Sequence, residues 1–174
     1  MSFVYKPPTE WIAPDVFPTE ILCQAKEIAI DLETRDPHLK ELGPGYIRGD
    51  GEAVGISFAV DGYENYFPFA HESGFNFSKK KVLEFTKKIC ATNSDKIFHN
   101  STYDVGWLTH HGITVKGRII DTMIVAPLID ENQFWFSLNA LGREYINEGK
   151  SEGELSAAAE EWGLDPKADM WRLP

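Results

Sequence analysis

The run from Ile28 to Thr34, reading IAIDLET, places two carboxylates, Asp31 and Glu33, at the end of an apolar stretch with the period of a strand. Side chains two apart on a strand share a face, separated by roughly 6.6–6.8 Å of rise. Two anions on one face beside buried aliphatic residues repel each other. At about 4 Å and an effective dielectric of about 20 that repulsion is on the order of 4 kcal/mol. A divalent cation is the simplest offset. Two acids at a strand end that merely face solvent are the plainer reading of the pair taken alone.

A second constellation lies in KIFHNSTYDVGWL, Lys96 to Leu108. Asn100 stands where a short apolar strand ends, and Asp104 falls in the first turn of the following helix. The helix dipole and free backbone N–H groups favour an anion there, so a simple helix-start charge is the local alternative. A strand-end carboxylate pair joined to an Asp at a later strand–helix junction is the layout of an oxygen-ligand metal site. Two hard cations roughly 3.5–4 Å apart in such a site clamp a phosphodiester, one activating water and one steadying the leaving oxygen.

These residues need elements to hold them. Residues 1–20 are rich in proline and read as an irregular arm, with a short helix or turn over 19–25. The first strand covers about 27–33, and a Gly- and Pro-rich loop follows to 51. Residues 52–60 and 63–69 alternate as strands around Asp61-Gly62, a hairpin turn, with Pro68 placing the end of the second at an edge or bulge. Ser78 reads as an N-cap for a helix over 79–91, with Val82, Phe85 and Ile89 on one face and lysines on the other. A short strand at 96–99, a helix over 102–111 stopped by Gly112, and a short strand within 113–120, ending at Ile119-Ile120, come next. Helices follow from Asp121 to 129, from Ser137, and over 152–162 up to Gly163. A hairpin followed by strand–helix units implies an α/β fold with a mixed sheet, an antiparallel three-strand start continued by parallel strands, and helices packed on it.

Bulk properties bound the reading. The 174 residues carry a net charge of −10, which argues against broad electrostatic binding of duplex nucleic acid but not against an enzyme gripping one strand end through metals. No apolar run approaches the roughly 20 residues that span a bilayer, no leader pattern opens the chain, and a cytoplasmic setting without membrane partners is expected. Cys23 and Cys90 are expected as buried free thiols.

The DLET and NSTYD runs resemble the first two motifs, D-x-E and N-x-x-x-D, of the DEDD exonucleases. The stretch from about 25 to 150 is similar to the proofreading 3′–5′ exonuclease domain of phage-type family A DNA polymerases. Asp121–Met123 and Ser137–Leu141 resemble that domain's later helices. The resemblance implies a ribonuclease H-like fold over 21–174 and two Mg²⁺ or Mn²⁺ ions. It implies Asp31 as bridging ligand, Glu33 on the water-activating ion and Asp104 on the second. Thr34 would lie beside the terminal nucleotide, Asn100 would brace the site, and Tyr103 would pack under it or near substrate. The implied substrate is a single-stranded DNA 3′ end, and the implied partner is the remainder of a DNA polymerase.

The sequence departs from the family at the third motif, Y-x-x-x-D or H-x-x-x-D. Only Tyr46–Asp50 has that spacing, and it lies between the first two motifs. A chain truncated before that motif and lacking the polymerase domain is therefore expected. A catalytically incomplete fragment serving assembly, and an RNA-trimming relative, are the alternatives. Among weaker features, Asp121 is expected as an N-cap ahead of a fourth ligand. His99, His110 and His111 lack a zinc-binding spacing. The lysines at 79–81, 87 and 88 read as a solvated face ahead of a phosphate track. Phe134-Trp135-Phe136 reads as packing between helices ahead of base stacking, and the acids of 152–161 as a polar helix face.

Overall fold

The computed structural model describes residues 12–149 and 153–173. Helix α1 (Thr19–Gln24) leads into β1 (Glu27–Arg35); α2 (Leu39–Leu42) and α3 (Gly45–Arg48) precede the hairpin of β2 (Glu52–Val60) and β3 (Tyr63–Pro68). Then come α4 (Lys79–Cys90), β4 (Asp95–Phe98), α5 (Ser101–His110), β5 (Ile119–Asp121), α6 (Thr122–Ile129), α7 (Leu138–Ile146), α8 (Gly153–Trp162) and a 3-10 turn at Met170–Arg172. The sheet order is β3-β2-β1-β4-β5, with β1 central. β1, β2 and β3 pair antiparallel, while β1–β4 and β4–β5 pair parallel. The mixed sheet expected from the sequence is the observed one.

Alternation sorts the two faces. Ile28, Ile30 and Leu32 of β1 and Ile56 and Phe58 of β2 point into one core, against Leu22 of α1, Val82, Phe85 and Ile89 of α4, and Trp107 and Leu108 of α5. Phe17, from the segment before α1, stacks on Phe67, Phe77 and Phe85 of that core. The opposite face carries Ala29, Asp31, Ser57, Ala59, Tyr66 and His99, and these line a cleft of about 710 Å³.

Several expectations are corrected. β1 runs two residues further than predicted, and the loop after it contains the single-turn helices α2 and α3. The short strand expected within 113–120 and ending at Ile119-Ile120 is Ile119–Asp121, one residue further on, and the residues before it form no strand. Ile113 and Lys116 give their N–H groups to Leu108 and Cys90 instead of a ladder, and Gly117 turns left-handed at φ 83°. Ser78 stands at the N-cap of α4, but its hydroxyl makes no capping bond. Cys90 is buried, but Cys23 is only half-buried; both are free thiols. Phe134 and Trp135 are 88% and 76% exposed, so they do not pack between helices: the turn between α6 and α7 carries them outward. The first eleven residues of the expected arm, and position 152 at the expected start of the last helix, lie outside the described residues.

The predicted lysine face is exposed at Lys80, Lys81, Lys87 and Lys88. Lys79 pairs with Glu52 at 2.5 Å. Lys96 was not singled out by its sequence. It is fully buried, and its Nζ donates to the carbonyls of Thr92, Ser94 and Lys116 at 2.8–3.0 Å. This ammonium ties the turn before β4 to the approach to β5.

Candidate active site

β1 and β4 pair only over Glu27–Ala29 and Asp95–Ile97, so β1 overhangs its neighbour from Ile30 onward. An N–H on that overhanging edge needs another acceptor. Asp104 Oδ1 accepts from Leu32 N at 2.9 Å. Local chain geometry delivers it: Asn100 turns left-handed at φ 70° directly after β4, and the first turn of α5 then swings beside the overhang. Asp104 is thus brought against the Asp31–Glu33 segment from 72 residues away.

Asp104 is 4% exposed. Its carboxyl is pushed up to about 7, chiefly by burial; the Leu32 N–H opposes that, and the charges of Asp31 and Asp121 reinforce it. Asp31 is exposed on the cleft wall, and Glu33 is half-buried. Ser57, the partner of Asp31 across β2, donates its hydroxyl to the Asp31 carbonyl at 3.3 Å.

A register shift between Glu33 and Thr34 sets Thr34 opposite Ala53 and leaves Val54 as the extra residue of a bulge. Thr34 Oγ1 lies 2.8 Å from the Tyr103 hydroxyl, which donates to Asp36 Oδ2 at 3.1 Å. Because a phenol has one hydrogen, Thr34 is the donor to Tyr103. Asp36 also accepts from Gly45 N at 2.8 Å and Arg48 at 3.2 Å, which holds the loop after β1 against α5. Thr34 and Tyr103 therefore stand together at the carboxylate end of β1. Asn100 acts through its backbone, donating its N–H to Asp121 at 3.1 Å.

Asp121 caps α6 through Met123 N at 2.9 Å, as expected, and also accepts from Ser101 N at 2.7 Å. Burial raises its carboxyl, but these hydrogen bonds outweigh burial and hold it below its ordinary value. It thus clamps the starts of α5 and α6 together. Tyr46 and Asp50, the one pair with third-motif spacing, sit elsewhere: Tyr46 packs on Trp107, and Asp50 pairs with Arg48 at 2.7 Å. His99 contacts the Thr122 hydroxyl at 2.9 Å, while His110 and His111 stack around Trp107.

Two residues were missed by sequence reasoning. Tyr66 of β3 pairs with Ser57, which pairs with Asp31, so the three form one cross-strand row on the open face. The Tyr66 phenol is raised above its ordinary range by burial and then by the charges of Glu33 and Asp31. His71 Nε2 lies 2.6 Å from the Tyr66 oxygen. The Asp61-Gly62 turn could have given the Ser57–Tyr66 pairing, since it fixes the hairpin register. The β1–β2 register has no such local signal.

Among the described residues, no three His, Cys, Asp or Glu side chains stand close enough to hold a metal ion as placed. The donor set still suits hard cations. The acids at the overhang offer carboxylate oxygens only, and buried Asp104 feels the negative charges of Asp31 and Asp121, which a divalent cation would offset.

The five-stranded sheet and its helices define a ribonuclease H-like α/β domain, and solved structures share the fold. Brucella melitensis NrnC with bound Mg²⁺ aligns with 79% of this chain and 61% of its own, at TM-score 0.55 and 19% identity. The POL domain of Pol1 from M. smegmatis, in complex with DNA primer-template and dNTP, aligns with 74% of this chain and 20% of its own, at TM-score 0.53 and 18% identity. Residues 18–172 match the 3′–5′ exonuclease family, and the chain belongs to that family. A DNA-directed DNA polymerase of Pseudomonas phage M6 is 39% identical over 171 residues, 95% of this chain. The chain spans about a quarter of that polymerase's length, 26%.

Proposed function

We propose that this chain is the metal-dependent 3′–5′ exonuclease unit of a phage-type DNA polymerase, removing nucleotides from single-stranded DNA 3′ ends. The observation that carries it is the Asp104–Leu32 hydrogen bond, which joins the second acidic motif to the strand bearing the first. Asp31, Glu33 and Asp104 are the residues to hold Mg²⁺ or Mn²⁺. Bound there, such ions lower the pKa of water and neutralise charge on the leaving oxygen. The water oxygen bonds to phosphorus, and the P–O3′ bond breaks with its electron pair left on O3′. One water proton reaches O3′ through solvent, and the products are a nucleoside 5′-monophosphate and a strand one nucleotide shorter.

The protein's own residues set the geometry. Thr34 and Tyr103, coupled by their hydrogen bond, form the wall against which the terminal nucleotide rests. Asn100 and Asp121 keep the start of α5 in place, so that Asp104 stays on the overhang. The polymerase relative and the solved complex with primer-template DNA support a DNA substrate and the remainder of a polymerase as partner.

The test is digestion of a 5′-labelled single strand by the purified chain with Mg²⁺ or Mn²⁺, with DNA and RNA strands compared. A ladder shortening from the 3′ end, lost in Asp31→Ala and with chelator, is the expected result. An undigested strand under all metal conditions would overturn the exonuclease reading in favour of an inactive assembly fragment.

A further inference from the structure

Strand alternation adds a cation to the row of acids. Asp31, Glu33 and Arg35 stand at every second position of β1, which runs unbroken to Arg35. The bulge beside Thr34 puts its extra residue on β2, so β1 keeps its period. The three side chains therefore share the open face, with Glu33 and Arg35 separated by roughly 6.6–6.8 Å of rise. Thr34, between them, points the other way, to Tyr103 of α5. The C-terminal turn stands on the open side too: His71 meets the Tyr66 hydroxyl at 2.6 Å and the Leu173 carbonyl at 3.0 Å. In that turn the Trp171 ring receives the Arg35 guanidinium, 4.5 Å from its centroid. The strand period and the ring contact thus agree on where Arg35 lies.

The charge of Arg35 is uncommitted. Around this end of the sheet Arg48 pairs with Asp36 and Asp50, Lys79 with Glu52, and Arg172 with Glu72. Among the described residues no carboxylate pairs with Arg35, which is exposed. Its position is nonetheless fixed, because an aromatic face within about 6 Å attracts a guanidinium. The ring is itself anchored: the Trp171 carbonyl accepts from Glu72 N at 3.0 Å, and the next residue, Arg172, meets Glu72 at 2.8 Å. A guanidinium resting on a ring presents its flat face to it and keeps its N–H fork for an oxyanion, which it binds in bidentate fashion. A planar cation held in place beside the acidic pair has the chemistry of a phosphate subsite.

We propose that Arg35 is a substrate-binding residue that grips the phosphate one nucleotide 5′ to the scissile one, and that Trp171 is its positioning residue. This rests on the exonuclease reading above. Thr34 and Arg35 flank the acids on opposite faces of β1. With the terminal nucleotide against Thr34, the strand that leaves the scissile phosphate on the other side passes Arg35. The C-terminal turn then takes part in strand binding through its ring, although it touches no acid of the site.

The test pairs a variant of the 174-residue chain with a variant of the strand. A 5′-labelled single strand carries one neutral methylphosphonate at the linkage 5′ to the terminal one, and kcat/KM for removal of the first nucleotide is compared with that on the all-phosphate strand. In the wild type the neutral linkage lowers kcat/KM about 10-fold, carried by KM. Arg35→Gln, shown folded by its melting curve, lowers it equally on the all-phosphate strand and loses nothing further on the modified one, because the two changes remove the same contact. The slope of log KM against log salt falls by about 0.7 in Arg35→Gln, the share of one phosphate on a single strand. Trp171→Ala narrows the difference between the two strands, an effect that a purely structural role for the ring would not produce. Additive losses from the variant and the neutral linkage, or an Arg35→Gln protein with wild-type KM and salt slope, overturn this inference and leave the exonuclease reading standing. Equal activity in wild type and Asp31→Ala overturns both.

Discussion

Asp104 joins stability and the proposed metal chemistry in one side chain. Its oxygen closes the open edge of β1, yet burial and two neighbouring anions resist its ionisation. The carboxyl rises from 3.8 in the unfolded chain to about 7 in the fold. A folded-state pKa above the unfolded value gives stability that is present below about 4 and is lost as pH climbs through about 7. At about 1.4 kcal/mol per unit, this is at most about 4 kcal/mol. In chelator, the thermal midpoint of the wild type should fall between pH 4 and pH 8 relative to that of Asp104→Asn, whose amide oxygen still accepts from Leu32. Thermal melts across that range check it, and parallel curves for the two proteins would refute it. A divalent cation favours the ionised form, so it should restore the wild type most at pH 8.

Among the elements, the three acids of the candidate site come together because β1 is longer than its parallel neighbour and because α5 starts shortly after β4. Lys96 braces the opposite end of β4, tying the turn before it to the approach to β5 with three carbonyl contacts. Lys96→Met removes the donor and leaves buried acceptors unpaired, at about 1–3 kcal/mol for each carbonyl that water cannot reach. The expected loss is about 3 kcal/mol or more in urea denaturation, and a change within about 0.5 kcal/mol would show the ammonium to be dispensable. The elements legible in the sequence were those with a local signal: the Asp61-Gly62 hairpin, the amphipathic α4, and the caps at Asp121 and Ser137. Those not legible depend on partners far along the chain. Asp36 organises α2 and α3 through Gly45, Arg48 and Tyr103. The short β5 follows from backbone bonds of residues 113 and 116 to α5 and α4. Asp31, Glu33 and Asp104 could be named from motif and order, whereas the place of Tyr66 required the register of three strands.

For the whole molecule, the described chain holds a main core between the sheet and α1, α4 and α5, and a separate small cluster of Ala158, Ala159 and Leu173. The small cluster meets the sheet through the C-terminal turn, where the Arg35 guanidinium lies 4.5 Å from the Trp171 ring centroid. Trp171→Ala removes that contact without touching the main core. Limited proteolysis should then cut between α7 and the C-terminal turn several-fold faster, while the main unfolding transition shifts little; an unchanged cleavage rate would show that the turn is held by other contacts. Leu138 of α7 and Thr122 of α6 line the cleft on the open face of the sheet together with Asp31 and Tyr66.

Asp31, Glu33 and Asp104 are proposed to form one divalent-cation site. Calorimetric titration of Mn²⁺ into the wild type and Asp104→Asn, both shown folded by their melting curves, tests it most directly. Saturable binding by the wild type at neutral pH is expected, weakened at least about tenfold by removing the buried charge, a difference of about 1.4 kcal/mol. Equal Mn²⁺ affinity in the two proteins would contradict it.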